Sequence, residues 1–420
     1  MNGYWRTDGT QKNGSDVVSA DKEWGDSTRA VHTAADPEKK TGSVQVPIYQ
    51  TSTYVQNDFG EHTGYEYSRT QNPTRETLEH ALANLESPTE PAHGTAFASG
   101  MAAITTITQL LESGCHILAA SDLYGGTGRL FDQVLAKFGV ETTYSELKLN
   151  DLESDSRDNT KMLWIESPTN PLLNIHDIKK LSAFGHERGW IVVVDNTFAS
   201  PILQRPLELG ADIVVHSTTK YIAGHSDLIG GCVVTRKPSL TEQLKFLQNT
   251  LGAVPSPLDC FLTLRGIRTL PLRMERHCDN AEYLVERLAQ HSSVTKLLYP
   301  GLSNHNLHDI ATAQMSRYGG MISLESAFGL SFKILRENKI KSEKIIDFFT
   351  NGPAKVMDWD IQPFKVGKNA NLTILDLNEK WVFSEKDIYS RSKNSPIIGM
   401  ELLGRVNFTI NGKDAFGFFD

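Results

Sequence analysis

Short apolar segments alternate with segments of helical periodicity between about residues 64 and 260, and this alternation restricts the possible folds most strongly. Residues 191–194 are apolar at every position, whereas a strand with one exposed face would alternate between apolar and polar residues. Uniformly apolar strands are typical of parallel sheets that helices cover on both faces. We therefore predict an α/β fold with a mainly parallel sheet.

The same pattern gives approximate positions for the individual elements. Apolar residues at helical spacing, such as Leu78, Leu82 and Leu85, predict helices, and short apolar runs between them predict strands. The predicted strands cover residues 115–120, 161–165, 190–194, 211–216 and 231–235, and the predicted helices cover residues 75–85, 98–111, 127–138 and 175–188.

Length and composition exclude several classes of protein. With 420 residues the chain is long enough for two or more domains, and its net charge of −8 argues against general affinity for nucleic acid. No apolar run is long enough to span a membrane, and the polar residues 1–25 are predicted to form a mobile arm without a signal peptide. The widely spaced cysteines argue against disulfides and structural zinc, which favours a reducing, cytoplasmic location.

Residues that could take part in catalysis or ligand binding follow the apolar runs. Asp195, Lys220 and Tyr124 each follow a predicted strand, and Gly100 begins a predicted helix. Because ligands bind at the carboxyl ends of strands in open α/β sheets, we expect these residues to share one site. Taken singly, each is more commonly a surface charge, a cap, a turn former or a packing residue, so only their joint placement indicates function.

Pyridoxal phosphate is the cofactor whose needs match this set. The chain has no P-loop, no dinucleotide-binding glycine motif and no H-E-x-x-H or H-x-H sequence, and we expect no metal. Pyridoxal phosphate requires a lysine for a Schiff base, a carboxylate for its pyridine nitrogen, a helix N-terminus for its phosphate and an aromatic face. Lys220, Asp195, the Gly100–Met101 helix start and Tyr124 would supply these in turn.

Longer motifs resemble one family, the Cys/Met-metabolism enzymes that depend on pyridoxal phosphate, within it the cystathionine γ-synthase and γ-lyase group. The resemblance covers residues from about 27 to 325 and implies the type I transferase fold for the large domain. It rests on Tyr65-Glu-Tyr-Ser-Arg69, Ser99-Gly-Met-Ala-Ala103, Asp122-Leu-Tyr-Gly-Gly-Thr127, Glu166-Ser-Pro-Thr-Asn-Pro171, Asp195-Asn-Thr197, Ser217-Thr-Thr-Lys-Tyr221 and Gly224-His-Ser-Asp227.

The resemblance implies a role for each matched residue. Lys220 would hold the cofactor and shuttle protons between substrate carbons, Asp195 would pair with the pyridine nitrogen, and Tyr124 would stack on the ring and accept the amino proton of the incoming substrate. Four residues would bind the phosphate, namely Gly100, Met101, Ser217 and Thr219.

Other implied roles concern the substrate and the assembly. The resemblance places Asn170 near the cofactor and the carboxylate of an amino-acid substrate, and Arg129 at the mouth of the site. Tyr67 and Arg69 would reach into the site of a neighbouring subunit. This implies a homo-oligomer, at least a dimer and usually a tetramer.

Three details favour one reaction within the group. His225-Ser-Asp227 resembles the γ-synthases and γ-lyases, Gly126 stands where methionine γ-lyases typically carry cysteine, and Glu66 resembles the γ-lyases. The preferred reaction is γ-elimination on L-cystathionine, giving cysteine, 2-oxobutanoate and ammonia. The alternative is the γ-synthase reaction, in which cysteine replaces the leaving group of an activated homoserine ester.

The end of the chain departs from the family. The smaller C-terminal domain is predicted to begin at residue 273 and to include a strand over residues 318–323, but the expected late substrate-binding arginine has no counterpart, since Arg405 lies in a different context. Residues from about 325 to 413 resemble the C-terminal end of a dihydroorotase, which implies a chimera with an incomplete small domain and a β-rich tail, with strands over residues 372–375 and 406–410.

This departure leaves two alternatives of other classes open. The chain could be a metal-dependent cyclic amidohydrolase, against which the absence of H-x-H argues, or a chimera that binds pyridoxal phosphate without turnover. Apolar residues 345, 346, 348 and 349 are expected to be exposed. The predicted regions are an arm over residues 1–63, a cofactor domain over 64–272, the start of a small domain over 273–325, and the tail over 326–420.

Overall fold

The computed structural model describes residues 24–34, 36–58, 61–290, 297–322, 336, 341–349, 370–384, 401–412 and 414–417. The chain divides into two compact units, one formed by residues 1–286 and 298–323, the other by residues 287–297 and 324–420. Almost all of the predicted arm over residues 1–25 lies outside the described residues. The predicted domain boundaries at residues 63, 272 and 325 stay predictions.

A seven-stranded sheet is the centre of the first unit, with strand order β1-β7-β6-β5-β4-β2-β3. Strand β7 runs antiparallel to its neighbours β1 and β6, and the pairs from β6 to β3 are all parallel. The strands are β1 (His93–Phe97), β2 (His116–Ala120), β3 (Glu141–Ser145), β4 (Thr160–Glu166), β5 (Ile191–Asp195), β6 (Ile213–His216) and β7 (Gly231–Thr235). The predicted α/β fold with a mainly parallel sheet is confirmed.

Helices pack on both faces of this sheet. The described helices of the first unit are α1 (Asp26–His32), α2 (Pro73–Glu86), α3 (Gly100–Thr108), α4 (Gly125–Gln133), α5 (Leu152–Asp155), α6 (Ile178–Glu187), α7 (Ser200–Leu203), α8 (Pro238–Leu251), α9 (Pro257–Ile267), α10 (Leu270–Ala289) and α11 (His308–Gln314). Short 3-10 turns cover Leu135–Phe138 and Pro206–Leu209.

Two hydrophobic cores explain why the middle positions of the central strands are all apolar. In β5, Val192 and Val194 lie in the core that contains residues of α2 and α6, whereas Val193 lies in the core that contains residues of α3 and α4. Successive side chains of a strand point to opposite faces, so a strand between two cores must be apolar throughout. Strand β4 repeats the pattern, with Leu163 in the first core and Trp164 in the second.

Local capping fixes where several predicted helices begin. Asn72 accepts hydrogen bonds from the backbone of Thr74 and Arg75 at the start of α2, and Ser99 accepts one from Ala102 at the start of α3. These caps place the helix starts at residues 73 and 100, near the predicted 75 and 98. Strands β1 and β3 were not predicted, because both are short and contain Gly or Thr in place of an apolar run.

The second unit contains helix α12 (Ser342–Phe349) and an antiparallel sheet of order β10-β9-β8. Its strands are β8 (Ala370–Val382), β9 (Glu401–Gly412) and β10 (Asp414–Gly417). Leu372 pairs with Ile410 and Leu375 pairs with Val406, so both strands predicted for the tail lie in one ladder. Arg405 forms an ion pair with Glu379 in this sheet.

Two expectations for the end of the chain have different outcomes. The predicted strand over residues 318–323 is wrong for the described residues 318–322, which lie outside any strand. The Tyr318 ring packs against Tyr299 and His308, and no described strand offers a ladder beside it. Of the apolar residues expected to be exposed on α12, Ile346 is half-buried, and the side chains of residues 345, 348 and 349 lie outside the described set.

None of the helices in the described part of the chain is both long and apolar enough to cross a membrane.

A buried histidine joins three parallel strands at the edge opposite the candidate site. The His116 ring in β2 is hydrogen-bonded to the hydroxyls of Thr160 in β4, at 2.8 Å, and Thr143 in β3, at 2.9 Å. Burial, reinforced by the positive charge of Arg157, lowers the pKa of His116 to about 4. The neutral imidazole is therefore the form that the folded protein favours.

We expect His116 to make the fold sensitive to mild acid. Between pH about 6.5 and 4 the unfolded chain binds a proton at this histidine and the folded chain does not, so stability falls as the pH falls. The urea midpoint should drop less between pH about 7.5 and 5 in His116→Gln than in the unaltered protein, because glutamine does not titrate. Equal drops in both proteins would contradict this prediction.

Candidate active site

Carboxylates end two adjacent parallel strands at the carboxyl edge of the large sheet. Glu166 at the end of β4 and Asp195 at the end of β5 are direct neighbours in the strand register. Both side chains are buried, at 5% and 7% exposure. The next strand, β6, leads into the turn that begins at Ser217 and carries Lys220.

The N-terminus of α3 approaches the start of this turn. Ser99 caps the helix by accepting the Ala102 N–H, and in the described part of the chain the N–H groups of Gly100 and Met101 have no acceptor. A Cβ atom added to Gly100 would lie 2.9 Å from the Cβ atom of Ser217. Only glycine permits this approach, and the open N–H groups at a helix N-terminus suit an anion such as phosphate.

Ser217 and Thr219 differ in how far their hydroxyls are engaged. Thr219 exchanges hydrogen bonds with the backbone of Gly230, at 3.0 and 3.2 Å, so its hydroxyl also fixes the turn. The Ser217 N–H donates to the hydroxyl of Thr197 at 2.9 Å, whereas the Ser217 hydroxyl has no partner among the described residues. The Ser217 hydroxyl is therefore available to a ligand bound at the start of α3.

Asp195 keeps one carboxylate oxygen open. Its Oδ1 accepts hydrogen bonds from the N–H of Thr197, at 3.0 Å, and from the hydroxyl of the same residue, at 2.6 Å. Its Oδ2 accepts none from the described residues. Burial raises the pKa of Asp195, and the Thr197 bonds and the charge of His216 oppose this rise.

Glu166 uses both of its oxygens. Oε2 accepts the Tyr124 N–H and Oε1 accepts the Asn170 N–H, each at 2.8 Å. Burial, together with the charge of Asp195, raises the pKa of Glu166 well above its usual range. The single carboxylate thus joins the start of α4 to the loop that follows β4.

No cationic side chain among the described residues bonds directly to either buried carboxylate. Within the described ranges no lysine, arginine or histidine forms an ion pair with Glu166 or Asp195. Buried charges normally require such a partner, so this pair suits a ligand that brings a cationic group to the open oxygen of Asp195. A protonated pyridine nitrogen has this property, and these residues therefore fit pyridoxal phosphate.

Tyr124 lies beside the α3 N-terminus. A Cβ atom added to Gly126 would contact the Tyr124 ring and would lie 3.0 Å from the Met101 sulfur, so the three side-chain positions adjoin. Tyr124 is 44% exposed, so part of this residue is open to a ligand. A side chain at position 126 would displace the ring.

Arg273 stabilises the turn that carries Lys220. Lys220 is exposed, its N–H donates to the carbonyl of Ser217 at 3.2 Å, and its amine has no partner in the part of the chain that is described. Arg273 donates to the carbonyls of Tyr221 and Ile222, the two residues after the lysine. Gly224, at φ +73°, leaves the space that this guanidinium fills.

The structure brings most, but not all, of the predicted site residues together. Contacts connect Lys220, Asp195 and Tyr124 with Gly100, Met101, Ser217, Thr219 and Asn170 around the carboxyl edge of the sheet. Arg129 is exposed on α4 and forms no ion pair with a described residue.

Tyr67 and Arg69 lie apart from this set. Arg69 donates to the carbonyl of Asn249 at 2.7 Å, and its guanidinium lies 5.5 Å from the centroid of the Tyr67 ring. Among the described residues, neither Tyr67 nor Arg69 forms a hydrogen bond or a ring contact with a residue at the carboxyl edge of the sheet. Their predicted position in a neighbouring subunit's site stays a prediction.

Three residues of the site were not predicted individually. Glu166 and Thr197 were noted only within motifs, and Arg273 only as the start of a helix. Glu166 carries the detectable signal, because it ends an apolar run in the same way as Asp195. The contacts of Arg273 with a turn about 50 residues earlier leave no signal in the sequence.

Comparison with known proteins identifies related sequences over most of the chain. Residues 27–349 match the family model described as Cys/Met metabolism PLP-dependent enzyme. This match continues past residue 325, where the sequence resemblance was expected to end. The expected likeness of the tail to a dihydroorotase, and with it a chimera, is not confirmed.

Curated relatives carry three different activities in their names. A probable cystathionine γ-synthase of Herpetosiphon aurantiacus is 49% identical over 72% of this chain and 94% of its own length. A cystathionine β-lyase of Coxiella burnetii is 51% identical over 71% of this chain and 77% of its own length. A cystathionine γ-lyase of Dictyostelium discoideum is 48% identical over 70% of this chain and 76% of its own length.

Solved structures agree with these sequence matches. The crystal structure of metB from Corynebacterium glutamicum has a TM-score of 0.72 at 46% identity and covers 74% of this chain and 81% of that chain. The cystathionine γ-lyase of Lactobacillus plantarum complexed with L-serine has a TM-score of 0.69 at 43% identity, over 71% of this chain and 78% of that chain.

Proposed function

Because the chain belongs to the Cys/Met-metabolism family of PLP-dependent enzymes, we propose that it cleaves L-cystathionine by γ-elimination into cysteine, 2-oxobutanoate and ammonia. One observation carries the proposal most directly. An exposed lysine, Lys220, lies in the turn that begins at Ser217, next to an open helix N-terminus, and the buried carboxylates Glu166 and Asp195 end two strands of the same sheet without an ion pair to any described residue. This arrangement supports binding of pyridoxal phosphate and proton transfer at one edge of the sheet.

Besides Lys220, six residues would hold the cofactor. The N–H groups of Gly100 and Met101, with Ser217 and Thr219, would bind the phosphate, and the open Oδ2 of Asp195 would bind the pyridine nitrogen. The exposed part of Tyr124 would cover the ring. When bound, pyridoxal phosphate supplies an electron sink that stabilises negative charge on the substrate carbons.

The protein's own groups then supply the proton transfers. The Lys220 amine has no described partner, so it can take a proton from one substrate carbon and deliver it to another. The Tyr124 hydroxyl would accept the proton of the substrate's amino group. The bonds that Arg273 donates to the carbonyls of Tyr221 and Ile222 would keep the Lys220 turn in place during these transfers.

The substrate and a second subunit would complete the site. Asn170 is half-buried beside Glu166, where it would contact the substrate carboxylate, and the exposed Arg129 would lie at the mouth. We propose that Tyr67 and Arg69 act in the site of a neighbouring subunit, so the active form would be at least a dimer and by family resemblance a tetramer. Their exposure in the single chain supports this assignment.

Gly126 favours cystathionine over methionine as the substrate. A side chain at this position would displace the Tyr124 ring, so the cysteine typical of methionine γ-lyases would change the site. Glu66 supports the γ-lyase reaction as well, whereas His225-Ser-Asp227 is similar to the γ-lyases and the γ-synthases alike. The γ-synthase reaction is the second candidate, because the probable γ-synthase relative is matched over 94% of its length.

The proposal predicts which products appear from L-cystathionine. The protein loaded with pyridoxal phosphate should release 2-oxobutanoate and cysteine, measured by chromatography of the oxo acids and a thiol assay. Pyruvate with homocysteine would instead indicate β-elimination. Cystathionine formed from an activated homoserine ester and cysteine, faster than cystathionine is cleaved, would favour the γ-synthase. A bound cofactor without any of these products would overturn all three activities and leave a non-catalytic cofactor-binding protein.

A further inference from the structure

Glu166 is a buried carboxylate that the proposed chemistry does not use. Its side chain is 5% exposed, and its two oxygens accept the backbone N–H groups of Tyr124 and Asn170 at 2.8 Å each. These donors lie on different segments, the start of α4 and the loop after β4. The residues that donate are the two that would contact the cofactor ring and the substrate carboxylate.

We propose that Glu166 is a positioning residue that fixes Tyr124 and Asn170 relative to each other and to Asp195, an inference that rests on the proposed function. Asp195 is held relative to Glu166 by the backbone, because the two residues are paired in the register of β4 and β5. One rigid side chain thus relates the ring-covering residue, the substrate-contacting residue and the carboxylate for the pyridine nitrogen.

The geometry explains why a carboxylate is required. Two N–H donors point at two oxygens, and only a carboxyl group presents two acceptors at this spacing. Glutamine at this position would direct its NH₂ group at one of the donors and leave a buried N–H unsatisfied. Aspartate keeps both oxygens, but it is one methylene shorter and reaches one donor at most.

A neighbouring hydrogen-bond network supports the loop from its other side. Asp122, two residues before Tyr124, accepts hydrogen bonds from the Thr169 hydroxyl and from the Asn174 side chain. Asp122 and Glu166 therefore each connect the start of α4 with the loop that follows β4. With Asp122 in place, the loss of Glu166 should shift the two segments slightly and should not detach them.

The test compares Glu166→Gln and Glu166→Asp with the unaltered protein and with Asp212→Asn. Asp212 is a matched control, because it is a buried carboxylate, 4% exposed, that accepts the Val192 N–H at 2.8 Å at the opposite end of β5. The readouts are the dissociation constant of pyridoxal phosphate, the visible circular dichroism of the bound cofactor, and KM and kcat for cystathionine. Thermal unfolding records any general loss of stability.

The inference predicts a change confined to the site. In both Glu166 variants the cofactor should bind about tenfold more weakly, because one buried hydrogen bond to a backbone N–H is lost, and its visible circular dichroism should weaken as the ring loses its fixed orientation. KM should rise more than kcat falls, because Asn170 would act on substrate binding. Asp212→Asn should lower the unfolding temperature and leave the cofactor spectrum unchanged.

Three results would overturn the inference in distinguishable ways. Glu166 variants with unaltered cofactor affinity, circular dichroism and KM would show that the carboxylate serves stability alone, and the proposed function would stand. An unaltered protein that shows no visible band with added pyridoxal phosphate would overturn the proposed function, and the positioning role with it. Cofactor signals that change equally in Asp212→Asn would assign the effect to general loosening of the sheet and would also overturn the inference.

Discussion

Lys220→Ala should abolish cystathionine cleavage, with a loss of activity of at least ~10³-fold, and should remove the visible band of the covalently held cofactor. The lysine amine is exposed at the carboxyl edge of the sheet, and no described residue is bonded to it. It is the group placed both to hold the cofactor and to move protons, so no neighbouring residue can replace it.

The fold should survive the same substitution. Lys220 contributes its backbone to the turn, donating to Ser217, and alanine keeps this hydrogen bond. The Asp195 carboxylate and the α3 N-terminus remain, so Lys220→Ala should still bind pyridoxal phosphate noncovalently. Its absorbance should then resemble that of the free aldehyde.

The measurement combines an absorption spectrum, borohydride trapping and the 2-oxobutanoate assay. Lys179→Ala is a suitable control, because Lys179 is an exposed lysine of the same domain on α6. Borohydride should fix the cofactor to the unaltered protein and to Lys179→Ala but not to Lys220→Ala. Trapping of equal amounts in Lys220→Ala would refute the assignment of the lysine.

The sequence allowed the core of the fold to be predicted because burial on both faces leaves a simple pattern. Strands β4, β5 and β6 lie between two cores, so residues 162–165, 191–194 and 213–215 are all apolar and each strand is visible as an uninterrupted run. Strand β3 lies at the end of the sheet and is partly exposed, and its residues Glu141–Ser145 show no such run. Edge position therefore explains why it was missed.

The candidate site could be predicted at positions where a chemically reactive or charged residue follows a predicted strand. Asp195 and Lys220 could be proposed from their places after apolar runs, but the partners of Glu166 are backbone N–H groups, which every residue except proline possesses. The positions of Tyr67 and Arg69 depend on a second chain, which one sequence and one chain do not contain. The predicted strand over residues 318–323 failed because a strand requires a pairing partner, and none of the described strands pairs with residues 318–322.

Asp195→Asn should weaken pyridoxal phosphate binding by roughly 10- to 150-fold, which corresponds to about 1.5–3 kcal/mol for a hydrogen bond to a charged group. Asparagine can still accept the two Thr197 bonds through its oxygen, so the substitution leaves that anchor intact. The open Oδ2 is replaced by an NH₂ group, which donates to the pyridine nitrogen and cannot stabilise its protonated form.

Turnover should fall further than binding. An unprotonated ring withdraws electrons less strongly, so even at saturating cofactor we expect kcat to drop by about 10²-fold or more, comparable with the loss of one preorganised electrostatic contact. Glu166 cannot compensate, because both of its oxygens already accept backbone N–H groups.

The decisive comparison sets Asp195→Asn beside Asp212→Asn, the same change at the opposite end of β5. Asp212 is hydrogen-bonded to His186 and forms an ion pair with Lys237, so its loss should cost stability without affecting cofactor affinity. Titration with pyridoxal phosphate, followed by absorbance, gives both dissociation constants under the same conditions. If Asp195→Asn binds the cofactor as tightly as Asp212→Asn and keeps its kcat, the buried carboxylate does not pair with the ring. In that case a different cationic ligand would have to pair with Glu166 and Asp195, which have no ion pair with a described residue.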